Sequence, residues 1–323
     1  MSPAVRGVAD VACIIRRVDP ASQLRTDFAQ LVAFEQRDSF FDVLSVHRSD
    51  GYLELGVRYR GLEEEVPALL LVPDGAGPFP AVLAHHQHNS EWHLGKSEVA
   101  GLAGDPLQAF GPALARAGLV VLAPDAVGFE DRRYSGTGID QREDDWLQYF
   151  NEMAYRLVSG RLLATTVLGD AACGLSALLA DERVDGSKLG AVGHSHGGYV
   201  TILLAALDER VSFACASGSA CSYQRRIGDR SGIEFSMAIP GVLKLADIDG
   251  LIALIAPRPL LLLSATDDGY SADAPEVVQA ATRAWEAHGA RDKLEHVRYE
   301  GGHALTPERT EKIISWVTAQ ASM

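Results

Sequence analysis

Short apolar runs rich in Val, Leu and Ile alternate with longer segments of helical period along most of this chain. This alternation is typical of a mainly parallel sheet whose strands are connected by helices packed on its two faces. The predicted strands cover residues 52–59, 66–72, 80–84, 118–123, 188–192, 211–216, 259–264 and 294–299. We therefore expect an α/β fold with a mostly parallel eight-stranded sheet and helices on both faces.

Helical signals lie between most of the later strands, as this topology requires. The predicted helices cover residues 105–117, 164–179, 198–207, 276–288 and 307–319. Residues 1–64 precede the alternation and predict an N-terminal extension with a helix and an edge strand. Two segments, near 125–160 and 221–246, do not fit the alternation and predict insertions. Ligands of open α/β sheets bind beyond the carboxyl ends of the strands, so we expect these insertions to form walls of a pocket.

Charge and apolar patterning exclude several classes of partner. The 323 residues include 29 Lys plus Arg against 43 Asp plus Glu, and a net charge of −14 is unfavourable for binding nucleic acid or an anionic membrane. No apolar run reaches the roughly 20 residues of a membrane-spanning helix, and no secretory signal is recognisable. The 4 cysteines show no CxxC spacing, which indicates reduced thiols. We therefore expect a cytoplasmic protein without nucleic-acid or membrane partners.

The segment between strand 188–192 and helix 198–207 carries the strongest chemical signal. It contains Gly193, His194, Ser195, His196 and Gly197, a G-x-S-x-G pattern. A tight turn from strand to helix needs glycines on both sides, and it leaves the central hydroxyl projecting above the sheet. The pattern and its context predict that Ser195 is a nucleophile.

A nucleophilic serine needs a base and a carboxylate that orients the base. Asp267 and Asp268 follow strand 259–264, and His303 follows strand 294–299. The order Ser, Asp, His is the one expected for α/β-hydrolases. We predict Asp267 as the acid, since it stands third after the last residue of the predicted strand, with Asp268 as the alternative.

The loop after strand 80–84 and the residue after the nucleophile are expected to stabilise an oxyanion. Backbone N–H groups at these two places bind the tetrahedral intermediate of acyl transfer, and we assign them to Gln87 and His196. His86 stands where a glycine is usual in this loop. The side chains of His86 and His88 are candidates for substrate binding, although exposed loop histidines are an equal alternative.

The clustering of histidines invites a metal hypothesis, which their spacing does not support. No His-x3-His or His-Glu-x-x-His pattern is present. We therefore predict neither a metal nor a cofactor. Arg132 and Arg133 could bind a substrate carboxylate, but we favour ion pairs with neighbouring acids such as Glu130 and Asp131.

From residue 66 to residue 317 the chain resembles the α/β-hydrolase superfamily, and within it the dienelactone hydrolases and the bacterial esterases similar to acetyl xylan esterase. Besides the elbow, the resemblance is carried by GKSEVAGL at 95–102, APDAVGFEDRR at 123–133 and LIAPRPL at 254–260. It implies a catalytic domain over residues 65–323, in which Ser195, Asp267 and His303 hydrolyse a small-molecule ester or lactone without a cofactor.

Two other classes of function share this scaffold. An acyltransferase would resolve the same acyl-enzyme with an alcohol or amine. A non-catalytic binding protein on a decayed scaffold is less favoured, because a serine, an aspartate and a histidine are all present. The sequence leaves the substrate and the formation of a homo-oligomer open.

Overall fold

The computed structural model describes residues 19–323, and within this range the strands form a single nine-stranded sheet. The strands are β1 (Phe41–Ser49), β2 (Tyr52–Arg60), β3 (Glu65–Pro73), β4 (Phe79–His85), β5 (Val120–Pro124), β6 (Val184–His194), β7 (Phe213–Ser217), β8 (Leu260–Ala265) and β9 (Leu294–Tyr299). Their spatial order is β1-β2-β3-β5-β4-β6-β7-β8-β9. Strands β4 to β9 run parallel to one another, whereas β1, β2 and β3 each run antiparallel to their neighbours in the sheet.

The helices are α1 (Pro20–Leu31), α2 (Lys96–Val99), α3 (Phe110–Arg116), α4 (Asp145–Val158), α5 (Leu163–Ala180), α6 (His196–Leu207), α7 (Tyr223–Asp229), α8 (Ile248–Ala253), α9 (Ala274–Ala287) and α10 (Pro307–Ser322). Residues of α1, α5, α6, α8 and α9 join the apolar core on one face of the sheet. Residues of α3 and α10 join the core on the other. The α/β prediction with helices on both faces is therefore confirmed.

Two details of the predicted secondary structure are wrong. The sheet of the described residues has nine strands rather than eight, because β1 was missed. Its residues are exposed on both faces, so its side chains lack the alternation that marks a half-buried strand. The predicted helix 105–117 is divided into a short 3-10 turn, Pro106–Gln108, and α3.

Helix α5 is the one helix of residues 19–323 whose length and apolar composition alone would allow it to cross a membrane. Most of it is buried in this fold. The core helix of a soluble protein passes the same test, so the finding is weak evidence for a membrane span.

A buried ion cluster fixes the loop after β5. The ammonium of Lys96 lies 2.7 Å from Asp125 Oδ2, 2.5 Å from Glu130 Oε1 and 2.7 Å from Asp131 Oδ2. These three carboxylates are close enough together to hold a metal ion, but the Lys96 ammonium already contacts all three. Burial and the nearby Glu130 raise the pKa of Asp125 to about 7.

The neighbouring arginines form ion pairs, as predicted, although with other partners. Arg132 Nη2 lies 2.9 Å from Glu64 Oε1 and 2.8 Å from Asp170 Oδ2. Arg133 Nη1 lies 2.6 Å from Asp145 Oδ2. Both side chains are buried. The Arg132 pairs connect the first insertion to the turn between β2 and β3 and to α5, whereas the Arg133 pair joins two parts of the insertion itself.

Candidate active site

The turn between β6 and α6 has the geometry of a nucleophile elbow. Ser195 adopts φ 56° and ψ −119°, a conformation that L-residues rarely occupy. A Cβ on Gly193 would lie 2.3 Å from the Gly197 carbonyl carbon, and a Cβ on Gly197 would lie 2.2 Å from the His85 carbonyl oxygen. Both glycines are therefore required for the close approach of strand, helix and loop.

A continuous chain of hydrogen bonds joins Ser195, His303 and Asp268. His303 Nε2 lies 2.7 Å from Ser195 Oγ, and His303 Nδ1 lies 2.9 Å from Asp268 Oδ1. Asp268 also accepts hydrogen bonds from the Tyr270 N–H, at 2.8 Å, and from the Ser271 hydroxyl, at 2.6 Å. Burial alone would raise the pKa of Asp268, but these hydrogen bonds, above all that of His303, hold it below its usual range. The carboxylate is thus kept ionised beside the imidazole.

The choice of Asp267 as the acid is wrong. Its side chain is exposed, and its backbone N–H donates to the Gly301 carbonyl at 2.9 Å. Asp268, by contrast, is 1% exposed. The reason is that β8 extends to Ala265, one residue beyond the predicted end, so the third position after the strand belongs to Asp268.

Ser195 and His303 open into a cavity of about 280 Å³. Its lining residues are His88, Asn89, Ser90, Trp92, Ser195, His196, Tyr199, Arg226, Gly232, Ile233, Glu234, Phe235, Tyr270 and His303. The second insertion contributes Arg226 and the segment 232–235, as expected of a pocket wall. A larger cavity of about 530 Å³ lies at the amino ends of β6 and β7, and it is not lined by Ser195, Asp268 or His303.

The two histidines proposed for substrate binding, His86 and His88, both lie in the loop after β4 but have different surroundings. His86 Nδ1 lies 2.7 Å from the Gln87 carbonyl, to which it donates, and Nε2 accepts from the Ala126 N–H at 3.1 Å. Burial, with His196 close by, lowers the pKa of His86 to about 3. Both ring nitrogens are therefore bound to backbone, and His86 does not line the cavity. The prediction of His86 as a substrate-binding residue is contradicted.

His88 does line the cavity. Its Nδ1 accepts from the Ser90 N–H at 3.0 Å, which leaves the proton of the neutral ring on Nε2. Burial lowers the pKa of His88 to about 4, although Glu234 lies nearby. His88 is thus a neutral donor at the cavity wall, and its contact with substrate stays a prediction.

The two predicted oxyanion donors lie on adjoining segments. The close approach of Gly197 to the carbonyls of His85 and His86 packs the loop after β4 against the start of α6. The Gln87 side chain donates to Glu98 Oε1 at 3.0 Å, so Gln87 can act on substrate only through its backbone. His196 is the first residue of α6, where N–H groups lack helical partners. The oxyanion role of both N–H groups stays a prediction.

Sequence reasoning missed several polar residues of the cavity. Arg226 and Glu234 come from the second insertion, which carries no motif, and Tyr199 is hidden in the apolar helix α6. The imidazole of His196 is stacked on Phe129 at 5.8 Å, and both its ring nitrogens are buried without a hydrogen-bond partner in the described residues. Only a three-dimensional arrangement identifies these side chains as pocket residues.

The chain has the α/β-hydrolase fold, and within it Ser195, His303 and Asp268 are joined by hydrogen bonds. No protein-family model matches the chain. It is 29% identical over 251 residues to a Bacillus subtilis (strain 168) protein described as "Putative hydrolase YtaP", which covers 75% of this chain and 79% of that protein.

Solved structures of carbohydrate esterases have the same fold. A "putative acetyl xylan esterase" from Bacteroides fragilis superposes with a TM-score of 0.71 at 18% identity, over 86% of this chain and 74% of its own. A glucuronoyl esterase from Solibacter usitatus superposes with a TM-score of 0.68 at 17% identity, over 92% of each chain. At these identities the similarity establishes the fold, and the reaction is argued from the site.

Proposed function

We propose that this protein is a serine esterase that hydrolyses a carboxylic ester or lactone through an acyl-enzyme on Ser195. The observation that carries the proposal is the chain of hydrogen bonds from Ser195 through His303 to the buried Asp268. A serine with this arrangement is activated for attack on a carbonyl, whereas an isolated serine hydroxyl is not.

In the proposed reaction Ser195 Oγ attacks the ester carbonyl, and its proton passes to His303 Nε2. Asp268 holds the Nδ1–H and stabilises the imidazolium. The backbone N–H groups of Gln87 and His196 stabilise the oxyanion. As the C–O bond breaks, His303 returns the proton to the leaving alcohol. A water molecule, deprotonated by His303, then hydrolyses the acyl-enzyme and restores the serine.

The similarity to acetyl xylan and glucuronoyl esterases supports a small-molecule or carbohydrate ester as the substrate. A dienelactone-type lactone stays within the proposal on the sequence resemblance alone. We further propose a cytoplasmic enzyme, which is supported by the buried free thiols of Cys173, Cys215 and Cys221. Cys13 lies outside the described residues.

The proposal is tested by intact mass after exposure to a fluorophosphonate probe. We expect one adduct on the wild type and none on Ser195→Ala, with unchanged thermal unfolding and a loss of nearly all ester turnover in the variant. Wild-type turnover by Ser195→Ala, or an adduct that persists in it, would contradict the assignment. Product analysis with competing alcohols and amines distinguishes hydrolysis from acyl transfer.

A further inference from the structure

Arg226 is a buried cation in the wall of the Ser195 cavity. It comes from α7 in the second insertion and is 3% exposed. Its guanidinium carbon lies 4.7 Å from the centroid of the Tyr199 ring and 4.8 Å from that of the Tyr270 ring. Nη1 donates to the Gly232 carbonyl at 2.6 Å, and Nη2 donates to the Tyr199 hydroxyl and to the Tyr270 carbonyl at 3.2 Å. These contacts fix the guanidinium before any ligand binds.

No carboxylate of residues 19–323 forms an ion pair with Arg226. The buried Arg132, Arg133 and Arg156 each have at least one carboxylate partner. Arg226 Nε is, in addition, buried without a hydrogen-bond partner in the same range. An isolated buried charge is costly, and proteins normally pair it.

Two other arginines, the half-buried Arg258 and the buried Arg309, also lack a carboxylate partner in the described residues, but their surroundings differ. Arg258 and Arg309 each donate to three or more backbone carbonyls. Neither lines the Ser195 cavity. Arg309 also has an Nε without a partner in the described residues, so Arg226 is distinguished by its place in the wall of the Ser195 cavity.

The pairing with aromatic rings connects Arg226 to the reacting groups. Tyr270, which stacks on the guanidinium, lies with its ring 4.7 Å from the His303 ring. Tyr199 stands four residues after Ser195, one turn along α6. A group bound at Arg226 would thus belong to the molecule whose ester is held at Ser195.

Arg226 supplies the positive charge that an anion would meet at this position. Arg226 is the only Arg or Lys among the cavity residues of the described chain, and burial lowers its pKa only to about 10, so it stays protonated at neutral pH. Glu234 also lines the cavity as an ionised carboxylate, because nearby His196 and hydrogen bonds from Tyr149 and Ser236 hold its pKa below its usual range despite burial. It forms no ion pair with Arg226 among the described residues, so the guanidinium keeps its charge for a ligand. The planar guanidinium matches the geometry of a carboxylate.

We propose that Arg226 binds a carboxylate of the substrate, so that the substrates of this enzyme are acidic esters. The inference rests on the proposed esterase function and names its substrate class. The carboxylate belongs to the acyl part or to the alcohol part of the ester, and the cavity accommodates either arrangement in a small molecule.

Two pairs of esters test the proposal with the wild-type protein. Ethyl hydrogen succinate and ethyl succinamate differ by a carboxylate against a neutral amide in the acyl part. O-acetylglycolate and O-acetylglycolamide differ in the same way in the alcohol part. We expect kcat/KM of the wild type to be at least tenfold higher for the charged member of one pair. The absence of a preference for the charged member in both pairs would overturn the proposal.

The variants then locate the preference at Arg226. Arg226→Met removes the charged end of the guanidinium and keeps an unbranched stem of four atoms. The matched control is Arg225→Met, since the exposed Arg225 side chain pairs with Asp229. We expect the charged-to-neutral ratio of kcat/KM to fall at least tenfold in Arg226→Met, mainly through KM, and to recover partly in Arg226→Lys. Arg225→Met should keep the wild-type ratio. An unchanged ratio in a folded Arg226→Met would contradict the assignment.

Failure of this inference is distinguishable from failure of the proposed function. If the fluorophosphonate labels Ser195 and neutral esters are hydrolysed, but no charged ester is preferred, only the substrate class is refuted. If no adduct forms and no ester is cleaved, the esterase function itself is refuted. If Arg226→Met does not fold, the comparison of the two ester pairs with the wild type still decides the proposal.

Discussion

Substitution of the adjacent Asp267 and Asp268 allows a controlled comparison, because the two side chains are chemically identical but only Asp268 contacts His303. Asp268→Ala removes the only carboxylate within hydrogen-bond distance of His303 Nδ1 in residues 19–323. Loss of the acid of a serine triad lowers kcat by about 10⁴, which corresponds to about 5.4 kcal/mol of transition-state stabilisation. Asp267→Ala removes an exposed side chain, and we expect kcat/KM within about twofold of the wild type.

Asp268→Asn separates charge from orientation. The Tyr270 N–H can only donate, and it donates to Asp268 Oδ1, the oxygen that also faces His303. In the Asn variant this N–H therefore favours the orientation of the amide in which its oxygen, and not its nitrogen, faces Tyr270 and His303. His303 then keeps its proton on Nδ1. We expect Asp268→Asn to lose the charge alone and to retain at least tenfold more activity than Asp268→Ala.

The assay is the steady-state hydrolysis of a short acyl ester, with thermal unfolding of each variant as the check on folding. The reasoning is refuted if Asp267→Ala loses as much activity as Asp268→Ala, or if a folded Asp268→Ala keeps wild-type kcat. An Asn variant no better than Ala would refute the argument on the tautomer while leaving the assignment of Asp268 intact.

Two further predictions concern the scaffold. Lys96→Met leaves buried carboxylates unpaired, so we expect a loss of about 3–5 kcal/mol in the free energy of unfolding, against less than about 0.5 kcal/mol for the exposed Lys244→Met. Burial raises the pKa of Asp125, so the ionisation of Asp125 opposes folding. The melting temperature of Lys96→Met should therefore recover as pH falls from 8 to about 5. A loss of melting temperature that is independent of pH would contradict this. Gly197→Ala places a Cβ 2.2 Å from a backbone oxygen, so we expect it to destabilise by at least about 3 kcal/mol, whereas Gly228→Ala, with open space around it, should be neutral or stabilising in chemical denaturation. Equal stability of the two glycine variants would refute the steric argument.

The sequence predicted the α/β alternation and the places of Ser195 and His303, because these depend on local chemistry. A buried parallel strand needs a run of apolar residues, and the elbow needs Gly193 and Gly197 at fixed offsets from its serine. Such requirements can be recognised from neighbouring residues alone. The edge strand β1 escaped prediction for the same reason, since an exposed strand imposes no apolar alternation.

Only the tertiary structure decided which side chains meet in the cavity. The end of β8 is set by its pairing with β9, through Ala265 opposite Tyr299, and this single residue of register exchanges Asp267 for Asp268. Both ring nitrogens of His86 form hydrogen bonds with backbone atoms, one of them 40 residues away in the chain, and the side chain does not line the pocket. Arg226 was brought beside Ser195 by an insertion without a motif. Local sequence specifies conformations, whereas these contacts depend on how distant segments pack against one another.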